Sequence, residues 1–524
     1  MRAHAQGTGS ALSVAADKVA GMARIAVIGA GMGAMAAAAR LAVAGHRVVV
    51  YERTDTYGGA VRRFERDGFR FDTGPGLLPL PAVWRDLFVK TGKEPLEACV
   101  ELEQVDPASH HVFPDGTRVS LPNASRAGVV AALDEALGAG AGERWGDFLV
   151  RAREAWDRTR RPLLEEPLWP NWQVLADKEP YPALERKRLL RTRKASTPER
   201  IGMWELGDER LAALLESCVL GYGVDPRTAP ASAAVLPYME HAFGLWYVRG
   251  GLRELARAVY ERCVARKVEF VFGAEVTRIA DKDGRAAGVE LASGALAEAD
   301  HVVAGVDPVR LRGLTEHPLD ADGDVRADTV TARPGRFTVL LALRGAREAG
   351  AAHRTVVHSP APESELDFLV APGGDLPPRP TVTVLRPDDP SLAPDGDHES
   401  VVLSAVVSTE ADWKDESTVQ RYTDHLLRAA GAAIPGLGER VLWHEVRTPE
   451  HTEDETGAPF GAVPAPALAA GGGRFLHPAN TTRLPGLYRA GGWSHPGGGL
   501  PHAGMSGALV AGLIVEGPEF RGSQ

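Results

Sequence analysis

The sequence predicts an α/β fold whose parallel-sheet domain is assembled from three separated stretches of chain. The first stretch, residues 24–52, places a glycine turn and an alanine-rich helix between two β-branched runs. The second stretch, residues 246–308, leads from a helix into further β-branched runs. The third stretch, residues 486–515, joins a glycine-rich loop to a helix of small residues. Strands that alternate with helices are typical of a parallel sheet.

The first stretch has the size of one strand–helix–strand crossover, as in Rossmann-type dinucleotide-binding domains. Gly29 permits a tight turn, and Gly31 lets the backbone approach a pyrophosphate at the positive end of the helix. Ala34, with Gly33 before it, takes the third glycine position, where a small side chain suffices for helix–strand packing. Glu52 is placed to accept hydrogen bonds from a ribose hydroxyl, and its charge argues against a 2′-phosphate.

The composition restricts the classes of protein to which this chain can belong. With 524 residues the chain exceeds one hydrophobic core, so two or three domains are expected. A net charge of −10 argues against nucleic acid as a partner. The 3 cysteines form no CxxC pair, which argues against a disulfide framework or a bound metal and fits a reducing cytoplasm.

The N-terminal residues 1–21 are small and polar, so we expect a disordered leader, with Met22 as a candidate initiator. No stretch of the sequence has the length and apolarity of a membrane-spanning helix. We therefore expect a soluble or peripheral protein, located in the cytoplasm or on the inner face of the cell membrane.

Two short glycine loops follow Glu52. Gly58 and Gly59 form the first loop, and residues 67–76 are a predicted strand that ends in the second loop, TGPG. Loops with so few side chains let backbone amides approach a planar or anionic ligand. Their closeness to Glu52 favours an extension of the dinucleotide site over plain surface turns.

Residues 82–241 are expected to be mainly helical. Within them, residues 162–194 combine prolines and tryptophans with the basic run LERKRLLRTRK, for which we predict a weakly amphipathic helix. Two interpretations of this segment stand. It is either a solvated charged face or a surface that docks on an anionic membrane, with Trp169 and Trp172 at the interface.

The rest of the chain contains mostly strand candidates. Runs at residues 268–272 and 275–279 are expected to return to the first sheet. A hairpin is expected next, with a strand at residues 288–291, a turn at Ser293 and Gly294 and a strand that ends at Val303 and closes the dinucleotide domain. A mixed domain follows, in which alternating residues predict a sheet that walls a cavity. Its strand candidates are residues 337–343, 355–358, 381–385 and 401–408, and its helix candidate is 418–433.

Four pieces of the chain together resemble the carotenoid (phytoene) desaturase family of FAD-dependent oxidoreductases, which is related to the flavin amine oxidases. The pieces are the first crossover, the two glycine loops, the central return and the terminal glycine loop. The most specific matches are FDTGP at residues 71–75 and SHPGGGLP at residues 494–501. The second match is similar to the family's THPGAGIP-type ending.

The resemblance implies that FAD is the cofactor and is held at both ends. The first crossover then holds the adenosine and pyrophosphate, Val276 contacts adenine through its backbone, and the other glycine loops lie near the flavin. The implied cofactor-binding residues are Gly29, Gly31, Gly33, Ala34, Glu52, Gly59, Ala60, Val276, Gly492, Gly499, Leu500 and Pro501.

The chain departs from the family pattern at one position. The family usually has an arginine directly after the paired glycines, where this chain has Ala60. Either Arg62 or Arg63 supplies that charge, or the flavin is held differently. The terminal loop carries Trp493 where the amine-oxidase relatives place an acidic residue, which favours the desaturase branch.

The resemblance implies a reaction in which the cofactor carries the chemistry and the protein supplies orientation and a dry tunnel. A hydride passes from a polyene carbon next to existing double bonds to the flavin, and loss of a neighbouring proton creates a new double bond. Oxygen or a membrane quinone then reoxidises the flavin. Three alternatives stay open: isomerisation or saturation of a polyene, oxidation of a polar amine or secondary metabolite, and flavin binding without turnover.

No catalytic residue is assigned from the sequence. His495 and His502 flank the terminal glycine loop and invite assignment as general bases, but His495 is interpreted as a structural residue that orients the loop. Asp72 and Asp307 are interpreted as acids that fix loops.

These observations divide the chain into a discontinuous Rossmann-type FAD-binding domain, a mixed α+β substrate domain and a helical segment with a candidate membrane-docking part. The expected boundaries are 1–21 for the leader, 22–81, 242–308 and 471–524 for the FAD-binding domain, 82–241 for the helical segment with its docking part at 162–194, and 309–470 for the mixed sheet.

Overall fold

The computed structural model describes residues 21–188, 191–320, 334–371 and 375–522. The predicted leader, apart from Gly21, and residues 189–190 of the basic run lie outside the described residues. Among the described residues, no helix combines the length and the apolarity that crossing a membrane requires.

Helices occur throughout the described chain, and the helix candidate of the mixed domain is confirmed as α12. The helices are α1 (Met32–Val43), α2 (Ala82–Gly92), α3 (Arg126–Leu137), α4 (Ala141–Arg160), α5 (Gln173–Asp177), α6 (Pro198–Ile201), α7 (Glu209–Gly221), α8 (Val235–Phe243), α9 (Leu252–Ala265), α10 (Pro308–Gly313), α11 (Pro362–Val370), α12 (Glu416–Ala430), α13 (Leu437–Arg440), α14 (Pro449–Thr456) and α15 (Leu500–Val515).

The strands form several sheets, and most strands are short. They are β1 (Arg24–Ile28), β2 (Arg47–Glu52), β3 (Arg63–Arg66), β4 (Phe69–Asp72), β5 (Leu78–Pro79), β6 (Leu102–Gln104), β7 (Ser109–Val112), β8 (Arg118–Leu121), β9 (Arg186–Arg188), β10 (Arg191–Arg193), β11 (Leu245–Val248), β12 (Glu269–Phe272), β13 (Val276–Lys282), β14 (Arg285–Leu291), β15 (Leu296–Glu298), β16 (His301–Ala304), β17 (Pro334–Arg344), β18 (Arg354–Val357), β19 (Val382–Leu385), β20 (His398–Ser408), β21 (Val441–Arg447) and β22 (Leu487–Arg489).

The first sheet has the strand order β12-β2-β1-β16-β22, and all its strands are parallel. Its central strands are apolar on both faces because helices or other chain cover both sides; Val27, Val50 and Val303 are fully buried. The strands come from all three stretches that the sequence assigns to the parallel sheet. The predicted α/β class is therefore confirmed.

Helices α1 and α15 pack against each other through small residues. A Cβ added to Gly33 would lie 2.7 Å from the carbonyl oxygen of Ala503, and one added to Gly507 would lie 2.4 Å from that of Gly33. Only glycine permits so close an approach of two backbones. The contact brings the N-terminal turns of the two helices together, although they are far apart in the sequence.

Strands β13, β14 and β15 form a separate antiparallel sheet. The expected return to the first sheet is correct for β12 and wrong for the run 275–279, which forms β13. The expected hairpin is present as β14 and β15, and the chain after it enters the first sheet as β16. In β13, Val276 and Ile279 are buried, whereas Thr277 and Arg278 are exposed. Such a strand has one solvated face, which an antiparallel sheet accommodates and the centre of a parallel sheet does not.

The largest sheet has the strand order β21-β17-β20-β19-β18-β7-β8. One face packs on α12, where Phe337 and Leu341 meet Tyr422 and Leu426. The opposite face is open to a cavity, as the alternation in β17 to β20 predicts. The expected sheet that walls a cavity is therefore present.

The segment before α9 is less helical than expected. Strands β7 and β8 extend the seven-stranded sheet, with β7 parallel to β18, and β6 pairs with β11. These strands have only 3 or 4 residues each. Runs so short carry no clear period, so the sequence pattern did not separate them from the neighbouring helices.

The basic run at residues 184–194 does not form the predicted helix. Strands β9 and β10 pair antiparallel instead. Like charges three or four residues apart destabilise a helix, and this run repeats them. The indole N–H of Trp169 donates to Glu166 at 2.8 Å, and Trp169 and Trp172 both pack against an internal apolar cluster.

Candidate functional site

A cavity of ≈ 580 Å³ is lined by the glycine loops of the first sheet, by the terminal glycine loop and by the seven-stranded sheet. Its size lies within the range of roughly 300–1,000 Å³ that is usual for small-molecule sites. Each predicted cofactor-binding residue except Pro501 lines it. Pro501 is buried in the first turn of α15 and directly follows the lining residue Leu500.

The turn between β1 and α1 forms an open cradle. Gly29 has φ of 88°, and its amide donates to the carbonyl of Tyr51 at 2.8 Å. Gly31 is the N-cap of α1, and no side chain caps the helix there. A Cβ added to Gly31 would meet no atom within 4 Å. Uncapped amides beside open space suit a pyrophosphate.

Gly33 and Ala34 line the cavity and are also required by packing. A Cβ on Gly33 would lie 2.7 Å from both the Ala503 carbonyl oxygen and the Gly491 Cα. A Cβ on Gly305, at the end of β16, would lie 2.9 Å from the Ala34 methyl group. Small side chains at both positions therefore allow the close helix–helix and helix–strand contacts that frame the cradle.

Glu52 lies at the carboxyl end of β2 and is only 8% exposed. Its Oε2 accepts a hydrogen bond from the Ala30 amide at 2.7 Å. Its Oε1 accepts from the amide and the hydroxyl of Thr54, each at 2.9 Å. These bonds hold the carboxylate in the cavity wall, and a carboxylate has capacity to accept a further bond from a ribose hydroxyl.

The paired glycines and the TGPG loop are pressed together beside the cradle. A Cβ on Gly74 would lie 2.2 Å from the carbonyl oxygen of Ala60. The Arg253 guanidinium donates to the carbonyls of Tyr57 and Val61 at 2.5 and 3.1 Å, which holds the loop from behind. Both loops line the same cavity as the first crossover.

The two arginines after Ala60 have different surroundings. Arg62 lines the cavity, and its Nε donates to the Gly59 carbonyl at 2.9 Å. Arg63 pairs with Glu254 at 3.0 Å and does not line the cavity. Arg62 is therefore the candidate for the charge that the family places directly after the paired glycines.

The terminal loop reaches the cavity at the start of α15. Gly499 is the N-cap of this helix, has φ of 96° and leaves the helix without a side-chain cap. Gly492 lies close to Pro464, because a Cβ added to it would be 2.9 Å from that ring. Val276 lines the cavity beside Glu52. The N-terminal turns of α1 and α15 thus face one space.

Neither histidine near the terminal loop lines this cavity. His495 is fully buried, and its Nε2 bonds the Glu166 carbonyl at 2.9 Å, which fits the structural role predicted for it. His502 is buried as well, and burial lowers its pKa to about 3.

Two acids hold helix ends, as the sequence predicts for loop-fixing residues. Asp72 accepts from the amides of Leu252 and Arg253 at 2.6 and 3.2 Å and so caps α9, whose N-cap is a glycine. Burial raises the pKa of Asp72 to about 6. Asp307 caps α10 through the Val309 amide at 2.7 Å.

The cavity face of the seven-stranded sheet carries a row of polar residues. Thr338 pairs with Ser404, and Ser404 pairs with Thr383. Val356 and His111 lie next along the same face. The resemblance implies a dry tunnel here, whereas the wall of the cavity contains both polar and apolar side chains.

A charged part of the sheet-side wall consists of Arg336, Arg354, Glu240 and Tyr222, which we call the arginine cluster. Glu240 Oε2 accepts from Arg354 at 2.8 Å, and Oε1 accepts from the Tyr222 hydroxyl at 3.1 Å. Arg336 donates to the Gly221 carbonyl and forms no ion pair within the part of the chain that the structure describes. Burial lowers the pKa of Arg336 and, helped by Glu240, raises that of Tyr222.

A chain of three polar side chains lies next to this cluster. Ser109 Oγ and His111 Nε2 are 2.8 Å apart, and His111 Nδ1 and His358 Nε2 are 3.0 Å apart. Burial lowers the pKa of His111 well below its usual value and that of His358 to about 4. Both rings are therefore neutral at neutral pH.

Sequence reasoning missed the arginine cluster because its members lie on α7, α8, β17 and β18, which are far apart in the chain. A local signal exists only in β17, where Arg336 and Thr338 alternate with apolar residues on a strand that is otherwise buried. A polar residue at an inward position of such a strand indicates a lined cavity rather than a core.

The fold and the cavity define a class of enzyme: an oxidoreductase in which a parallel sheet binds a dinucleotide cofactor and a second sheet encloses the reacting molecule. A family model of flavin-containing amine oxidoreductases matches residues 35–515. The chain belongs to this family and is a flavin-dependent oxidoreductase, which confirms the predicted cofactor type and enzyme class.

Curated relatives match over nearly the whole chain. A 4,4′-diapolycopene oxygenase from Methylomonas sp is 29% identical over 503 residues, which are 94% of this chain and 98% of that protein. A hydroxyneurosporene desaturase from Cereibacter sphaeroides is 30% identical over 506 residues, 94% of this chain and 97% of that protein. A neurosporene-forming phytoene desaturase from the same organism is 28% identical over 511 residues, 95% and 96% of the two chains. The resemblance to carotenoid desaturases is confirmed.

Solved structures share the fold. An oxidoreductase from Methanosarcina mazei has a TM-score of 0.63 at 19% identity and covers 93% of this chain and 99% of its own. Cyclohexylamine oxidase from Brevibacterium oxydans has a TM-score of 0.61 at 15% identity, with coverage of 95% and 99%. Both support the predicted α/β architecture.

Proposed function

We propose that this protein is an FAD-dependent oxidoreductase that introduces double bonds into a carotenoid or a related lipophilic polyene. The observation that carries the proposal is one continuous cavity that joins the glycine loops of the parallel sheet to the wall of the seven-stranded sheet. The substrate class is supported by the relatives that match nearly the full chain. Their names describe desaturation or oxygenation of carotenoids.

The residues at the glycine loops fit FAD. The open space at Gly31 suits a pyrophosphate, and Glu52 offers an acceptor for a ribose hydroxyl. The paired glycines and the loop at Gly499 extend this surface beyond a mononucleotide, which favours a cofactor with a second ring system. When bound, FAD supplies the oxidising chemistry by accepting a hydride from the substrate.

The chain itself binds and orients the substrate. Apolar side chains of the sheet wall, among them Val356, Leu385 and Val402, offer a surface for the polyene chain. Hydrophobic contact of this kind is not directional, so it holds a long chain without fixing its position along the cavity. Polar groups of the wall must therefore set the register of the substrate.

A polyene partitions into lipid, so we infer that the protein works at the inner face of the cell membrane and that oxygen or a membrane quinone reoxidises the flavin. The basic hairpin β9–β10 is the candidate docking element, and exposed Val174 and Leu184 lie near it in sequence, at 53% and 48% exposure. Basic and apolar groups together favour binding to anionic lipid.

Flotation with anionic liposomes tests the docking element. Changing Arg186, Lys187, Arg188 and Arg191 to glutamate should abolish co-flotation. The matched control changes four exposed basic residues elsewhere, Lys90, Arg266, Lys267 and Lys282, to glutamate and should float like the wild type. Equal flotation of all three proteins would show that the hairpin is only a solvated charged face.

Co-expression with enzymes that produce a C40 or C30 polyene tests the proposed reaction. The extract should absorb at longer wavelengths than that of cells without this protein, because each new double bond lengthens the chromophore. The purified protein should release FAD on denaturation. An unchanged spectrum with FAD bound would contradict desaturation and favour flavin binding without turnover.

The same experiment separates the related reactions. A shift to shorter wavelengths would indicate saturation, and altered band shape without a change in mass would indicate isomerisation. Mass spectrometry of the pigment distinguishes desaturation by the loss of two hydrogens per step.

Oxidation of a polar amine or secondary metabolite is the second candidate function, and the arginine cluster favours it. This reaction needs a polar anchor in the cavity, and Arg336 and Arg354 offer one for a substrate that also carries an acidic group. Hydrogen peroxide release from a panel of amines measures it. Turnover of amines without any effect on polyenes would replace the proposed function.

A further inference from the structure

The arginine cluster lies inside the cavity rather than on the outer surface. Arg336 lies on β17 and Arg354 on β18, with β20 and β19 between these strands, and Glu240 and Tyr222 come from α8 and the residue after α7. The Glu240 and Arg354 side chains are only 15% and 20% exposed. Charged groups in such a place interact strongly with a ligand, because little water screens them.

The charges in the cluster do not balance. Glu240 uses one oxygen for Arg354 and the other for the Tyr222 hydroxyl, so its negative charge is already committed. Tyr222 is neutral, because burial and then Glu240 raise the pKa of its hydroxyl well above the usual value. The cluster therefore contains two guanidinium groups and one carboxylate, which is paired with Arg354.

Arg336 carries the surplus positive charge. A guanidinium has five N–H donors, and the hydrogen bond that the structure describes for this one goes to the Gly221 carbonyl. No carboxylate of the described chain lies within ion-pair distance of it. Arg336 is partly buried in the cavity wall and has no ion-pair partner among the described residues, so a ligand carboxylate could meet the guanidinium fork in a bidentate manner and balance its charge.

We propose that the arginine cluster binds a carboxylate at one end of the substrate, with Arg336 as the main contact. This inference rests on the proposed function and names the substrate class more closely: a polyene chain with an acidic end group. Neighbouring Thr338 and Ser404 offer hydroxyls to the same end. Arg336 is a positioning residue, because it sets how far the chain extends along the cavity.

A hydrocarbon end group fits this part of the cavity poorly. It would cover Arg336 and remove its remaining contact with water without giving it a partner. A hydroxyl end group would accept one hydrogen bond and leave the positive charge uncompensated. A carboxylate both accepts two parallel bonds and balances the charge.

Binding of matched polyenes to the FAD-loaded protein tests the proposal. The probes are an acyclic apocarotenoic acid, the corresponding alcohol and a hydrocarbon of the same conjugated length. Trp145 and Trp493 line the cavity, so quenching of tryptophan emission reports binding without turnover. The acid should bind at least about tenfold more tightly than the hydrocarbon, with the alcohol between them.

Variants of Arg336 locate the interaction. Arg336→Met should remove the preference for the acid and leave the affinity for the hydrocarbon unchanged or higher, whereas Arg336→Lys should retain part of the preference. Arg118→Met is the matched control, because Arg118 lies in the same sheet, donates to a backbone carbonyl and does not line the cavity. It should behave like the wild type.

The outcomes separate this proposal from the proposed function. Equal affinity for the three probes in the wild type, or a preference for the acid that survives Arg336→Met, would overturn the carboxylate site and leave desaturation standing. Tight binding of the acid that depends on Arg336, without any spectral change under turnover, would overturn desaturation and leave the carboxylate site standing. The wild-type comparison needs no variant, so a misfolded variant does not remove the test.

Discussion

At one end of the cavity glycine turns expose backbone amides, and at the other end the side chains of a sheet form the surface. The glycine end is formed by the turns at Gly29, Gly31, Gly59 and Gly499, where uncapped helix termini face the open space. The sheet end is formed by one face of the seven-stranded sheet with α7 and α8, and Arg336 is its most distinctive member.

The difference between the two ends separates phosphate binding, which many proteins share, from substrate recognition, which is particular to each protein. Backbone amides at a helix start bind any phosphate, so many proteins with different substrates can use the same glycine pattern. Side chains on a sheet face can change one at a time without disturbing the backbone hydrogen bonds of the strands. The glycine end therefore indicates which type of cofactor is bound, and the sheet end determines which substrate is bound.

The largest expected effect tests whether the glycine end depends on close backbone contact. Gly33→Val places side-chain atoms where a Cβ alone would lie 2.7 Å from backbone atoms of Ala503 and Gly491. We expect a loss of about 3 kcal/mol or more in the free energy of unfolding and no bound flavin. Thermal unfolding and the flavin absorbance measure both. A stable variant that retains flavin would contradict the packing role.

Gly31→Ala tests cofactor binding at the glycine end separately from packing, because here the added methyl group meets empty space rather than protein. The backbone at Gly31 has φ of −70°, which alanine adopts without strain. We expect FAD affinity to fall about tenfold or more while the stability of the flavin-free protein changes by less than about 0.5 kcal/mol. Gly438→Ala, in α13 and also without near neighbours, is the control. Unchanged affinity would place the pyrophosphate elsewhere.

Glu52→Gln tests the one carboxylate that the sequence singles out at the glycine end. The amide nitrogen of glutamine cannot accept the bonds that the carboxylate receives from Ala30 and Thr54. FAD affinity should fall by about 2 kcal/mol, because charge-assisted bonds are lost. Glu269→Gln, on the neighbouring strand and at the surface, should have no effect. Titration of the flavin-free proteins with FAD measures the difference.

His353→Phe tests whether a buried histidine of the seven-stranded sheet region makes the protein sensitive to acid. His353 directly precedes β18, is 8% exposed and does not line the cavity. Burial lowers the pKa of His353 to about 3, so the unfolded chain takes up the proton first and stability falls as the pH drops below the ordinary value of about 6.5. The variant should lose about 1 kcal/mol less than the wild type between about pH 7 and about pH 5.5. Denaturant unfolding at both pH values measures it, and equal losses would contradict the assignment.

The smallest expected effect compares the two arginines after Ala60. Arg62→Met should weaken FAD binding by about 1 kcal/mol and shift the flavin reduction potential, because Arg62 lines the cavity next to Gly59. Arg63→Met removes an ion pair with Glu254 outside the cavity and should leave the potential unchanged. Spectroelectrochemical titration of both variants measures the potential. A shift only in the Arg63 variant would reverse the assignment.

Local patterns predicted much of the fold. The crossover at residues 24–52 was predicted because its turn, helix and flanking strands lie within one short stretch. The strands of the mixed domain were predicted from their alternation, and β17 to β20 contain them. The errors concern elements in which local preference was weak: the basic run forms the hairpin β9–β10, and β7 and β8 join a sheet whose other strands lie far along the chain.

The sequence by itself determined the cofactor end of this protein, because a dinucleotide turn needs small residues at fixed local spacing and an acid at the end of the next strand. It also determined that a sheet would wall a cavity, since alternation of apolar and polar residues marks a strand with one face in the core and one face outside it. Only the tertiary structure decided which residues meet on that wall. Arg336, Arg354, Glu240 and Tyr222 come together because strands and helices far apart in the chain pack side by side, and no local spacing records that contact.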